Sequence, residues 1–296
     1  MPNPLIPRHP KNPVGQTDKI DRARKALFSD IDTAMRQTLD AWERMPVERQ
    51  SGRVLNRSFY EYLIDLDELR RIVDMIRQTL SRGNGRVVLT RQTEASYREG
   101  VSKAVENLSR LSDDYTRTIT QRLGDAMVQR RAALAGARVF EFMDGFAGDT
   151  ASDLGRVLFQ AVQDGENPRD TARTIRKRFS VSKSRAERIA RTEVTGALRR
   201  GRIDEARDAE DKFGIRVKML WYSALIPDRS RRWHMARHGN LYTTEEVTEF
   251  YEIGANAINC LCSQTEVTIG KDGKPLFGDK LIDRMKEQRG RSLGWV

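Results

Sequence analysis

Between residues 18 and 198 the apolar side chains recur at spacings of three and four, and this periodicity confines most of the chain to helices. Leu27, Ile31, Ala34, Met35, Leu39 and Trp42 share one face of a first helix, which Pro46 must end. A second helix is expected over 58–80, with Phe59, Leu63, Leu66, Leu69, Val73, Ile76 and Leu80 inward and Gly83, Asn84 and Gly85 closing it. A third begins near Thr90. Its residues Tyr97, Val101, Ala104, Leu108, Leu111 and Tyr115 step by 4, 3, 4, 3 and 4, a heptad seam. The pattern loosens to steps of four through Ile119, Leu123 and Met127 and runs on to about Phe142. Such a helix packs in a bundle within the chain or against a neighbouring subunit. Gly145 and Gly148 mark a break, followed by a short helix over 150–163 with Leu154, Val157, Leu158 and Ala161 inward.

The 296 residues suffice for two domains, or for one domain with a long extension. A formal net charge of +11 and a pI near 9.9 favour acidic partners, nucleic acid first. No apolar run approaches the ~18 residues of a membrane span, so no membrane anchor is expected. Residues 1–17 carry Pro2, Pro4, Pro7, Pro10 and Pro13 and lack the apolar stretch of a secretory signal. They read as an extended arm, disordered unless docked. Two cysteines do not make a disulfide scaffold, and a bridge across one intervening residue would be strained. Reduced thiols inside a cell are expected.

Residues 168–202 read as a basic helical pair. Asn167 supplies a cap and Pro168 the first turn. Ala172, Ile175 and Phe179 form the stripe of the first helix, and 180–184 is expected to turn. Ser184 and Glu187 have capping-box spacing, and Ala186, Ile189, Ala190, Val194, Ala197 and Leu198 face inward on the second helix. Residues 169–202 hold twelve Lys or Arg against three acids, a net +9. Arg173, Arg176, Lys177, Arg178, Lys183, Arg185 and Arg188 are the candidate contacts to nucleic acid or to an acidic partner. Two helices about a tight turn also resemble a helix-turn-helix, which makes a DNA-binding regulator the alternative function. Against it, the turn lacks the expected glycine and the second helix is long. A solvated face, or one meeting an acidic subunit, is the competing reading.

Residues 221–262 concentrate the side chains that carry chemistry. They hold two of the three histidines, His234 and His238, both cysteines, Cys260 and Cys262, and two of the four tryptophans, Trp221 and Trp233. Alternation predicts a strand over 217–224, and 227–230 turns the chain. A helix from Trp233 would set His234 and His238 on one face. Thr244, Glu245 and Glu246 open another helix through Tyr251, and 254–259 is a loop. In an extended segment Cys260 and Cys262 point the same way. Two imidazoles and two thiolates can make a tetrahedral zinc site, structural because all four positions are filled. The competing reading makes His234 a hydrogen-bonded core residue, His238 a surface one, and the cysteines small buried hydrophobes. His, Cys and Asp228 are also types used in hydrolytic chemistry. The chain lacks a His-Glu-x-x-His motif, a phosphate loop and a carboxylate cluster, so no enzyme is expected.

Several short motifs occur in order: Ala-Arg-Thr-Glu at 190–193, Trp221 near a strand, Asp-Arg-Ser-Arg-x-x-His at 228–234, Gly239, and Asn-Cys-x-Cys at 259–262. In this arrangement the chain resembles the phage Mu F-like minor head proteins, also called phage head morphogenesis proteins, over 149–268. The resemblance implies a virion protein of a tailed bacteriophage, in the capsid interior near the portal vertex and in host cytoplasm during assembly. It implies association with the portal and other head proteins, a role in head morphogenesis and in handling or ejection of packaged DNA, and no enzymatic activity. Non-specific contact with double-stranded DNA and self-association through the N-terminal helices are expected with it. Arg191 with Glu193, and Asp228 with Arg231, are expected as buried polar pairs, with Trp221, Gly239 and Asn259 as further motif positions. This chain departs from the family at Leu261, where Arg is usual, and at His238, where an acid is usual. Some members carry a cysteine pair near the Asp-Arg motif, with the second cysteine where His234 stands, an exchange that a zinc site permits.

The expected fold is mainly α with a small α+β C-terminal domain. It comprises the arm 1–17, a helical region 18–148, the Mu F-like domain 149–268, and over 269–296 the end of a hairpin and a basic tail. That hairpin is expected over 265–277, turning at Lys271-Asp272-Gly273, and the tail ends in Trp295. Only 34 residues follow Cys262, which leaves no room for the C-terminal toxin some relatives carry.

Overall fold

The structure, a computed structural model, describes residues 3–51, 58–118, 122–276 and 278–294. In chain order these form α1 (Thr17–Glu43), a hairpin of β1 (Val47–Ser51) and β2 (Ser58–Tyr62), α2 (Leu66–Arg82), α3 (Asn84–Leu111) and α4 (Asp113–Thr118). A 3-10 turn at Arg122–Gly124 leads into α5 (Ala126–Gln163) and α6 (Pro168–Phe213). The C-terminal part is β3 (Val217–Tyr222), α7 (Arg232–Met235), β4 (Leu241–Tyr242), α8 (Thr244–Glu252), β5 (Ser263–Thr268) and α9 (Asp279–Leu293). The fold is therefore mainly α with a small α+β part. Ile119, Phe277 and Trp295 lie outside the described residues.

Two compact units emerge, one of Ile20–Arg91 and Ala137–Ala190, the other of the described residues within 1–19, 92–136 and 191–296. Helices α1, α3, α5 and α6 contribute residues to both.

In the first unit the face predicted for α1 is the buried one: Leu27, Ile31, Ala34 and Trp42 are nearly inaccessible. The expected helix over 58–80 is half right. Asp65 caps α2 by accepting from the Glu68 amide, so the helix starts there and residues 58–62 pair with β1 instead. Tyr62 stacks against Trp42 at 5.0 Å and its hydroxyl donates to the Glu166 carbonyl, whereas Phe59, Leu63 and Leu66 are exposed. Gly145 and Gly148 do not break the chain; α5 runs straight through them. Each glycine costs a helix about 1 kcal/mol, less than the burial of neighbouring Phe146, Ala147, Ala151 and Leu154 returns.

Nor does residue 180–184 turn. α6 is one helix of 46 residues. No glycine or proline stands within 180–184, and Ser182 and Ser184 donate to the carbonyls of Arg178 and Ser180 rather than capping a new helix. Ser182 is itself buried, so Ala172, Ile175, Phe179, Ser182, Ala186 and Ala190 make one unbroken stripe. The helix-turn-helix reading falls with the turn.

In the second unit the heptad seam of α3 and α4 is buried within the chain, from Tyr97 through Tyr115. Its helix does not continue to Phe142: α3 stops at Leu111, α4 is a separate piece, and α5 starts afresh at Ala126. α3 crosses α6 at two glycines. A Cβ on Gly100 would lie 2.2 Å from the Leu198 carbonyl oxygen, and one on Gly201 2.2 Å from that of Tyr97. The helices touch backbone to backbone, which only glycine allows here.

Beside this crossing lies an antiparallel sheet of order β4-β3-β5. Alternation along β3 serves two cores. Val217, Met219 and Trp221 pack with Ile203, Ala206 and Ala209 of α6, Leu108 of α3 and Phe250 of α8. Leu220 and Tyr222 pack on the other face with Val267, Ile269 and Ile282 and Met285 of α9. The expected basic tail is thus a helix that covers the sheet. The hairpin after β5 closes as predicted, with Gly270 and Lys274 hydrogen-bonded and Ile269 bridged to Pro275. The proline arm is docked: Pro4, Val14 and Gln16 are buried and the Leu5 amide donates to Asn107.

Candidate metal centre

Three elements bring His234, Cys260 and Cys262 together. Leaving β3, the chain passes a turn closed by the Ser230 amide on the Ile226 carbonyl and by the Ser230 hydroxyl, which accepts from the Ile226 amide. The single turn of α7 then carries His234 inward. Opposite it, Asn259 adopts a left-handed backbone at φ 56°, which asparagine tolerates, and turns the chain into the Cys260–Cys262 segment. Its amide donates to Thr192 and its side chain accepts from Arg191, both on α6.

All three side chains are buried. His234 Nδ1 lies 3.4 Å from Cys260 Sγ and 3.6 Å from Cys262 Sγ. Metal–ligand bonds of about 2.3 Å to sulfur and about 2.0 Å to nitrogen at a tetrahedral angle give an N···S edge of about 3.6 Å. The spacing therefore fits one tetrahedral ion, and the three ligand atoms all lie within 4.8 Å of one another. The Cys262 amide donates to Cys260 Sγ at 3.3 Å. Cys262 and the Arg199 and His234 groups pull the Cys260 thiol well below its ordinary range, and the same pair interaction pushes Cys262 up.

The supporting shell comes from residues the sequence placed elsewhere. Arg199, counted among the basic-face cations, is buried. It donates to the carbonyls of Cys260 at 2.7 Å and Cys262 at 3.1 Å and lies 4.4 Å from the Tyr251 ring. Arg202 is buried too, paired in two bonds with Glu266, which Asn107 also reaches. Thr195, Arg199, Arg202 and Ala206 fall at steps of 4, 3 and 4, the phase that would have put both arginines inside. Arg231 grips the carbonyls of Asn256 and Ile258 and meets His234 Nε2 at 3.2 Å. A guanidinium only donates, so without a metal the ring accepts at Nε2 and points its proton from Nδ1 at the sulfurs.

Residues 152–265 match the family model of Phage Mu protein F like proteins. The chain carries a phage Mu F-like domain. Neither curated proteins nor solved structures give a match. The matched stretch runs from the end of α5 through α6 to the middle of β5, and so contains the whole His-Cys-Cys cluster.

Within the Mu F-like domain His238 stands apart from that cluster. α7 ends at Met235, too early to place residues 234 and 238 on one face. His238 instead accepts the Ser223 amide at Nδ1 and faces Gln288 of α9, and burial pushes its pKa down to about 4. Trp221 is fully buried, stacked on Tyr251 and edge-on to Phe250. Gly239 has φ 78°, and a Cβ there would lie 3.0 Å from the Lys286 amide. The expected Asp228–Arg231 pair does not form: Asp228 is exposed in the turn, and Arg231 serves the carbonyls. Glu193 is buried, and its Oε2 has no hydrogen-bond partner among the described residues.

Of the seven candidate contact cations, four meet acids of their own unit: Arg173 with Asp170, Arg178 with Asp153, Lys183 with Asp32, and Arg185 with Asp149. Arg176, Lys177 and Arg188 are exposed and have no acidic partner among the described residues. No described helix is long and apolar enough to cross a membrane.

Proposed function

We propose that this chain is a minor head protein of a tailed bacteriophage, an assembly component rather than an enzyme. The match over 152–265 carries this reading. In it, the chain joins the virion through the portal and other head proteins, in the capsid interior near the portal vertex. The excess positive charge and the exposed cations Arg176, Lys177 and Arg188, which have no acidic partner among the described residues, suit packaged DNA or an acidic portal surface. The heptad seam is already covered inside the chain, so contacts with sibling copies fall to other faces.

His234, Cys260 and Cys262 would hold a zinc ion. Bound there, zinc supplies a cross-link between the loop after β3 and the segment before β5, stabilising a domain whose sheet has only three strands. Co-expression with the portal protein of the same phage, followed by gradient sedimentation, tests the partner. Cosedimentation with portal rings is expected; a chain that stays at monomer size beside assembled rings would count against it.

A further inference from the structure

Among the described residues the cluster offers three ligand atoms, and all three residues line one cavity. We propose that His234 Nδ1, Cys260 Sγ and Cys262 Sγ hold a thiophilic divalent cation whose fourth position opens on the neighbouring cavity and accepts water or a small anion. This rests on the zinc reading above and changes its kind, since a Cys2His2 set with His238 would have closed the site.

Four observations lead there. His238, the fourth ligand suggested by spacing, is occupied by the Ser223 amide and turned toward α9. A cavity of ≈ 100 Å³ adjoins the three ligands, lined also by Ser223, Arg229, Ser230 and Arg231. That is room for a few waters or one small anion. The Ser223 hydroxyl is 2% exposed, lies beside Cys262, and has no nitrogen or oxygen partner among the described residues. Its proton is directed to the Cys262 sulfur, which leaves the oxygen able to accept from a water in the cavity. Finally, a dication with two thiolates is neutral, so Arg229 and Arg231 leave the cavity lining positive, which favours an anion over a second cation.

Metal binding also alters Arg231. A ring bound through Nδ1 carries its proton on Nε2 and can no longer accept from Arg231. The contact at 3.2 Å is given up and one guanidinium N–H is released beside the open position. Arg231 stays anchored by the carbonyls of Asn256 and Ile258.

Cobalt(II) is the probe for the full-length chain, purified without chelator, and azide the probe for the fourth position. One cobalt per chain, with thiolate-to-cobalt charge-transfer bands and four-coordinate ligand-field bands, is expected. Azide should then shift the ligand-field bands with a saturable 1:1 curve. His238→Gln should leave stoichiometry and azide response unchanged, and Cys262→Ser should lose the metal. Arg229→Gln should weaken azide about 10-fold at unchanged cobalt content, the loss of one charge-assisted hydrogen bond. Cobalt binding with no response to azide would overturn the open position while leaving the metal reading standing. No cobalt binding by the wild-type chain would overturn both. Loss of cobalt in His238→Gln would restore the closed four-ligand set. The azide titration needs no variant, so a Cys262→Ser chain that fails to fold does not blunt the test.

Discussion

His238 and His234 are four residues apart and do opposite things. His238 is a buried neutral ring between the Ser223 amide and Gln288. Unfolded, its ring takes a proton near pH 6.5; folded, burial and the nearby Arg289 cation delay this to about 4. Between these values the unfolded chain binds more protons, so stability is full above the upper value and falls as pH drops toward the lower one. The loss between pH 7 and pH 5 should be about 2 kcal/mol from this residue, read by urea unfolding at each pH. In His238→Gln, which keeps an acceptor for the Ser223 amide, that part of the pH dependence should vanish; an equal loss in both proteins would place its origin elsewhere. The sequence showed that histidines and cysteines cluster, and spacing alone showed that both sulfurs could face one point. It did not show which histidine faces them, because that depends on α7 ending after one turn. Arg199 and Arg202 were hidden in the same way, since a count of charges does not record which side of the helix each occupies.

At the level of elements, α6 organises the second unit. Its backbone meets α3 where Gly201 and Gly100 remove the side chains from the crossing. Gly201→Ala would drive a Cβ into the Tyr97 carbonyl, and the helices would have to separate. A destabilisation of about 3 kcal/mol is expected in denaturant unfolding, although alanine is the better helix former. A stabilised Gly201→Ala chain would show that the crossing is looser than described. The apolar periodicities of α1, α3 and α6 were legible because each face is buried by elements of its own chain. The breaks were not. Residues 180–184 satisfy their hydroxyls within the helix, and Gly145 and Gly148 stay helical because their neighbours are buried. Residues 58–62 become a strand because β1 is there to pair with them, a long-range fact no local pattern holds. The first half of α6 presents Arg176, Lys177 and Arg188 outward. Replacing all three with Gln should lower the slope of log K against log salt for duplex DNA by about 2–3, with no change in sequence preference. An unchanged slope would remove this face as the DNA contact.

For the whole molecule, the charge and the domain point the same way. In the proposed role, a net charge of +11 would serve contact with packaged DNA, while the match over 152–265 supports a head protein. The domain was recognisable because its motif residues hold the turns around one small sheet: Asn259 at the left-handed turn, Gly239 against α9, Trp221 under α8, and the His-Cys-Cys cluster between them. The N-terminal helices carry no such marks, and their packing is what the structure adds. The most direct measurement is quantitative mass spectrometry of purified particles from the phage that encodes this chain. The chain should be present both in empty proheads and in DNA-filled heads, at far fewer copies than the coat protein. Its absence from both kinds of particle, with normal heads still formed when its gene is deleted, would contradict a role as a minor head protein.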